Sequence, residues 1–278
     1  MNLPIKAFEE WTWIFTQYAG ISYDLHENKK LHEIESFPSS KPFFYWVDES
    51  NIKVTQRGGT ISGSTHNEDV YKIDFNPKKV WKDWTPPKYS EYYGKLSPLK
   101  SEKPIIVINN KYNPEWGQQI PFNFLPLDCL KDFCEKFSDK YEILYIRYEG
   151  KGHSFENGYW DDVPSYTKEE YGDYELIKEF GIKTIYDFMN EYDEKDFNIA
   201  QMMMMSKAKH ILCTAGGNAV LSSYFGEDVV IYGHPDCKST SRGIWHTDSW
   251  LKELSGSNII GHTNWIKMIN DCENRWLD

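Results

Sequence analysis

From residue 103 onward, short unbroken apolar runs alternate with segments whose apolar residues recur every three or four positions. Ile105, Ile106, Val107 and Ile108 form the first run, which ends in the polar triplet Asn109–Asn110–Lys111. Leu127, Leu130, Phe133, Cys134 and Phe137 make a helical stripe, with Pro126 placed to start it. A second run covers 141–148 and ends near Arg147. A short helix over 174–180, a short element over 184–188 and a helix over 197–209 follow. Residues 210–235 then read as one unit: an apolar strand over 210–214, the turn Ala215–Gly216–Gly217–Asn218, a helix over 219–225 stopped by Gly226, and a strand over 228–232. Trp265, Ile266, Ile269, Cys272 and Trp276 give the chain a final amphipathic helix. Strands that alternate with helices in this way predict an α/β domain with a doubly wound parallel sheet.

The first hundred residues follow a weaker pattern. Phe8, Trp11, Phe15 and Tyr18 have the spacing of one helix face, and 43–47 is a candidate strand. Apolar segments on either side of Arg57–Gly58–Gly59 suggest a hairpin. The polar loop after it carries His66, Glu68 and Asp69, and a further strand is expected over 70–75 with Asp74 near its end. Residues 76–103 are rich in Pro, Lys, Trp and Tyr and show little periodicity. They are the expected crossing between domains.

At 278 residues the chain exceeds the usual size of one compact core, so two domains are expected. A formal net charge of −11 argues against a general nucleic-acid binder while leaving room for a local basic pocket. The five cysteines include no CxxC pair and read as reduced structural thiols. The N-terminal stretch has glutamates inside its apolar part, unlike a signal peptide or a transmembrane span, so a soluble cytoplasmic protein is expected. Met202–Met205 reads as flexible core filler.

In open α/β sheets, ligands bind beyond the carboxyl ends of the strands. Here those ends carry Asn110 and Lys111, Arg147, the Gly216–Gly217–Asn218 turn, and Gly233–His234–Pro235. Two glycines let a ligand approach the backbone, helix-start N–H groups favour an anion, and Asn218 and Ser222 lie one turn apart. With Lys111, Arg147 and, further on, Arg242, these residues suggest a diphosphate site. The same glycine pair is equally compatible with no more than a tight β-to-α turn. No G-x-G-x-x-G, P-loop, G-x-S-x-G or HExxH motif occurs, and no Asp-x-Asp triplet.

The order of elements over roughly 103–235 resembles the nucleotide-sugar-binding domain of GT-B glycosyltransferases, most specifically in "ILCTAGGNAVLSSYFGEDVVIYG". The small size and the aromatic-rich N-terminal part also resemble virus-encoded capsid-glycan transferases of large algal viruses, which would place the protein in a host cytoplasm. The GT-B resemblance implies two Rossmann-like lobes. Residues 1–100 would form a small acceptor-binding lobe, with 264–278 packing back on it, and 101–263 a nucleotide-sugar-binding lobe. It implies an inverting transfer from a nucleotide diphosphate sugar, UDP before GDP, to a hydroxyl of an oligosaccharide or glycoprotein acceptor. With no metal motif, no metal or other cofactor is expected. Asn110, Lys111, Arg147, Thr184, Gly216, Gly217, Asn218, Ser222 and Arg242 would hold the donor, Thr184 through main-chain bonds to the base. An inverting transfer also needs a base beside the acceptor hydroxyl. Asp69 ranks first, then Asp74 and His66, with Asp161–Asp162 as rivals. The alternatives are a non-catalytic carbohydrate- or nucleotide-binding protein of the same fold and an α/β enzyme of another phosphate-containing substrate.

Overall fold

A computed structural model of the chain describes residues 3–7, 19–29, 31–36, 38–54, 85–112, 121, 124–148, 171–235, 252 and 256–277. Two parallel sheets organise them. The smaller has three strands in the order β1 (Leu3–Ala7), β2 (Leu31–Ser36), β3 (Ile52–Val54), with helix α1 (Ala19–Glu27) between the first two. The larger has six strands: β4 (Ile105–Asn109), β5 (Glu142–Ile146), β6 (Lys183–Thr184), β7 (Ala208–Thr214), β8 (Asp228–Tyr232) and β9 (Asn258–His262). Their order across the sheet is β6-β5-β4-β7-β8-β9, and every pairing is parallel.

Among the described residues, six helices accompany the large sheet: α2 (Tyr89–Leu96), α3 (Leu127–Phe137), α4 (Asp173–Glu179), α5 (Ile185–Glu191), α6 (Phe197–Met205) and α7 (Gly217–Ser222). The last helix, α8, is Trp265–Trp276. Because successive strand residues face opposite ways, the continuous apolar runs feed two cores. Ile106, Ile108, Leu212 and Val230 face α3, α4 and α8, whereas Val107, Ile146, Ile211, Cys213 and Val229 face α5, α6 and α7. This is the doubly wound arrangement expected from the alternation of periods.

The second core continues into the small-sheet region. Tyr23, Ile34, Phe43, Phe44, Trp46 and Ile52 belong to the same buried cluster as Val107 and Ile211. Helix α2 joins the two. Tyr89 donates a hydrogen bond to the Phe43 carbonyl at 2.7 Å, and its ring meets Tyr224 edge-on at 5.1 Å. The segment expected to be an aperiodic crossing therefore contains a helix that packs closely against α6.

One further expectation is corrected. The apolar stretch 43–47 is no strand: Pro38–Phe44 is a 3-10 helix, with Pro42 inside it, and a turn follows. The final helix, expected to pack back on residues 1–100, is seen among the described residues against the large sheet. Its principal contacts are α3, β8 and β9, where Trp276 meets Phe133, Phe137 and His210, and Glu273 pairs with Lys136 at 2.6 Å. Its apolar side is matched to the stripe on α3, so the nearest unfilled apolar surface captures it.

The hairpin expected around Arg57–Gly59, the helix stripe over 8–18 and the strand over 70–75 lie outside the described residues. Among the described residues no helix is long and apolar enough to cross a membrane. Cys129, Cys134, Cys213 and Cys272 are buried free thiols, and burial pushes Cys134 and Cys213 up to about 12.

Candidate active site

Numbered within the large sheet, the strand order is 3-2-1-4-5-6, the order of dinucleotide-binding sheets. The chain builds outward from β4 through β5 to β6, then returns past β4 to start β7 and build the other way. The segments leaving β4 and β7 consequently diverge to opposite faces, and a crevice opens between them at the carboxyl edge. The structure has a cleft there. It is small, with about 10 Å³ of enclosed room, and lies between Asn109–Lys111, Ile146, Tyr148, Phe197, Gln201 and Asn218.

The polar triplet that ends β4 is distributed over three environments. Asn109 is buried, and its amide donates to Ser222 Oγ at 3.3 Å and contacts Met205 Sδ. Asn110 is also buried and acts as a joint. Its main-chain N–H donates to Ile146, its amide nitrogen to Tyr145 Oη at 2.9 Å, and its amide oxygen accepts from Leu125 N at 3.1 Å. Only Lys111 brings charge to the cleft: half-buried, its ammonium donates to the Ala215 carbonyl at 2.7 Å, across the switch point.

The glycine turn has the backbone that the sequence suggested. Gly216 has φ 116° and ψ −153°, a conformation a side chain disfavours, and it precedes the first turn of α7. First-turn N–H groups such as those of Gly217 and Asn218 have no intrahelical acceptor. Asn218 donates its amide to the Asn110 carbonyl at 3.3 Å and lines the cleft. Ser222 is placed differently. It is fully buried against Asn109 and Met205, one turn deeper into the core than a ligand could reach.

Arg147 is the largest change from the sequence expectation. It is fully buried, and its guanidinium grips Asp173 with two hydrogen bonds, Nη2 to Oδ1 at 2.7 Å and Nε to Oδ2. Burial opposes its charge, but the bonds and attraction of Asp173 outweigh this and keep it protonated. The Tyr174 ring lies 4.7 Å from the guanidinium carbon, and Tyr145 donates to the same carboxylate. Burial, then the adjacent Asp173, pushes Tyr145 well above the usual phenol range, so it remains a donor. The cation at the end of β5 is thus matched inside the protein and braces Asn110 through Tyr145. Thr184 is similarly engaged: its hydroxyl and main-chain N–H both donate to Asp187 in a capping box that starts α5.

The sequence reading did not single out the wall supplied by α6. Asp196 caps that helix by accepting from Asn198 N at 2.8 Å and Ile199 N at 3.0 Å. Its carboxylate already occupies the helix start, and burial raises its pKa. Phe197 meets Tyr148 edge-on at 5.4 Å, forming an apolar side of the cleft, and Gln201 lines it next to them. The available signal was Gln201 itself, which with Asn198 is a polar residue in a mostly apolar helix. Asp69, Asp74, His66, Arg242 and Asp161–Asp162 lie outside the described residues.

No protein-family model and no curated protein matches the chain. Among solved structures, E. coli ADP-heptose LPS heptosyltransferase II aligns with 100% of this chain and 91% of its own, at 12% identity and a TM-score of 0.44. The wall teichoic acid polymerase TagF aligns with 91% of this chain at 11% identity and a TM-score of 0.35, and this chain spans 50% of the polymerase's length.

Proposed function

We propose that this protein is a GT-B-type glycosyltransferase that moves a sugar from a nucleotide diphosphate sugar, UDP before GDP, to a hydroxyl of a glycan acceptor. The observation that carries the reading is the crevice at the switch point, where Lys111 reaches across to Ala215 beside the Gly216–Gly217 turn. An ammonium and bare main-chain N–H groups at the carboxyl edge of a doubly wound sheet suit a phosphate.

In the transfer, the acceptor oxygen attacks the anomeric carbon from the face opposite the diphosphate. The new C–O bond forms as the sugar–phosphate bond breaks, with inversion, and the hydroxyl proton passes to a base. Charge developing on the departing diphosphate is stabilised by Lys111 and the first-turn N–H groups of α7. Arg147 holds this arrangement in place through Asp173, Tyr145 and Asn110 instead of touching the phosphate. Arg242 would add a second cation. Asp69 is the first choice for the base, followed by Asp74 and His66. No metal is assigned a step.

A thermal-shift screen against UDP, GDP, CMP and NAD, with and without EDTA, tests the donor class. A nucleotide at a hundred times its dissociation constant adds about 2.7 kcal/mol to stability. A shift with UDP or GDP that persists in EDTA is expected, and a shift with NAD alone would overturn the reading. Donor turnover that is lost in Asp69→Asn identifies the base. One observation favours a second reading, a nucleotide- or carbohydrate-binding protein without catalysis. With Arg147 committed to Asp173, Lys111 is the cation lining the cleft among the described residues. Binding without release of UDP or GDP across a wide acceptor panel selects that reading.

A further inference from the structure

The α6 wall of the cleft contains a polar group with no role so far. Gln201 is 6% exposed and lines the cleft. Its Nε2 donates to Asn198 Oδ1 at 2.7 Å, and Asn198, itself 1% exposed, is held by Asp196 through its main-chain N–H. With one amide hydrogen engaged in this way, the side chain is oriented and its carbonyl oxygen remains an acceptor for a neighbour. That oxygen has no hydrogen-bond partner among the described residues, and it is absent from the polar atoms sealed from solvent. It is an unpaired acceptor on a cleft-lining side chain more than nine-tenths buried.

The surroundings define what it can accept from. Tyr148 and Phe197 supply an apolar side, while Lys111 supplies the cation. The enclosed part of the cleft is about 10 Å³, room for one water-sized group. The cleft therefore admits one projecting group of a larger molecule, such as a ring hydroxyl, while the ring and its phosphate stay at the mouth. An acceptor and an ammonium lining the same cleft suit a ring that carries both a hydroxyl and an anion.

We propose that Gln201 is a specificity-determining residue whose Oε1 accepts a hydrogen bond from a hydroxyl of the phosphate-bearing sugar ring. The inference rests on the nucleotide-sugar reading of the same cleft and adds to it the group that reads the ring. The ring is either the ribose of the nucleotide or the transferred sugar, because both present a hydroxyl near a phosphate.

Calorimetry on the full chain separates these sources, with UDP and GDP as ribose probes, glucose 1-phosphate as the sugar probe and pyrophosphate as a probe without a ring. Gln201→Met keeps the volume and removes the acceptor. It is expected to weaken the ring probe about tenfold while pyrophosphate changes less than twofold. Gln201→Glu keeps an oxygen acceptor, so its ratio of ring-probe to pyrophosphate affinity should remain near that of the wild type. The probe whose ratio moves in Gln201→Met identifies the ring. An unchanged ratio in Gln201→Met overturns the inference alone, as does equal loss of ring probes and pyrophosphate, which would mark a structural role. If the unaltered protein binds pyrophosphate but no ring probe, the inference also falls. If it binds none of the probes, the nucleotide-sugar reading falls and the inference falls with it.

Discussion

Arg147 and Lys111 occupy equivalent places, each just past the carboxyl end of a central strand, yet the fold treats them oppositely. Arg147 is fully buried and neutralised by Asp173 in a two-pronged pair. Lys111 is half-buried, lines the cleft and donates to the Ala215 main-chain carbonyl. One is a buried brace, and the other lines the cleft. A cation at a strand end is therefore an ambiguous sign, and what resolves it is whether a carboxylate from a distant helix is delivered to it. Asp173, at the first position of α4, is that carboxylate.

The largest expected effect comes from breaking the brace. Asp173→Asn leaves the Arg147 charge without its partner in the interior, which should cost about 3–5 kcal/mol in urea unfolding. If that substitution proves mild, the two cations are less different than their burial indicates.

A third buried group sharpens the comparison, because it is held neutral. His210 lies at 4.6 Å, nearly parallel, on Trp276, with neither ring nitrogen hydrogen-bonded among the described residues. Its neighbour Asp228, 3.6 Å away, is bonded to Arg275. Burial lowers the His210 pKa to about 4, with Asp228 opposing and Lys209 and Arg275 adding to the effect. The unfolded chain takes up this proton near pH 6.5, the folded chain only near 4. The unfolded state thus binds more protons between those values, and stability falls as pH drops through the window. The loss should be on the order of 2–3 kcal/mol by pH 4. Melting temperatures from pH 7 to 4 should show it, with a shallower slope in His210→Phe.

A smaller effect is expected at the turn facing Lys111. Gly216→Ala forces a side chain into φ 116° and should cost about 1–2 kcal/mol in thermal unfolding, together with a loss of nucleotide affinity. The smallest change in stability belongs to Lys111→Ala, about 1 kcal/mol, the order of a lost hydrogen bond such as that to the Ala215 carbonyl. The same variant should lose the stabilisation by UDP or GDP. A large stability loss without a binding defect would make Lys111 a second brace.

The regions that could be read in advance share one property: burial on both faces. β4 and β8 are short apolar runs buried along their length, and their periods leave little choice. β9 was missed because as an edge strand it buries only Ile259 fully, so its five residues show no clear period. β2 was missed because its charges, Glu33 and Glu35, interrupt the apolar signal. The stretch 43–47 was misread because Phe43, Phe44 and Trp46 are apolar in any conformation, and the prolines at 38 and 42 favour a tighter helix. Within the site, Lys111, Gly216, Gly217 and Asn218 could be named from spacing alone, since strand ends and glycine turns are local features.

The sequence by itself determined the alternation of strands and helices, the two-sided burial of the central strands and the glycine turn between β7 and α7. All of these depend on residues within one turn or one strand of each other. Tertiary structure decided which polar groups remain for chemistry. It paired Arg147 with a residue 26 positions away, sealed Ser222 beneath Asn109, placed α8 on α3 and brought Gln201 to the wall of the cleft. Charge and hydrogen-bonding capacity are set by residue type, but their satisfaction depends on partners brought close only by the folded chain.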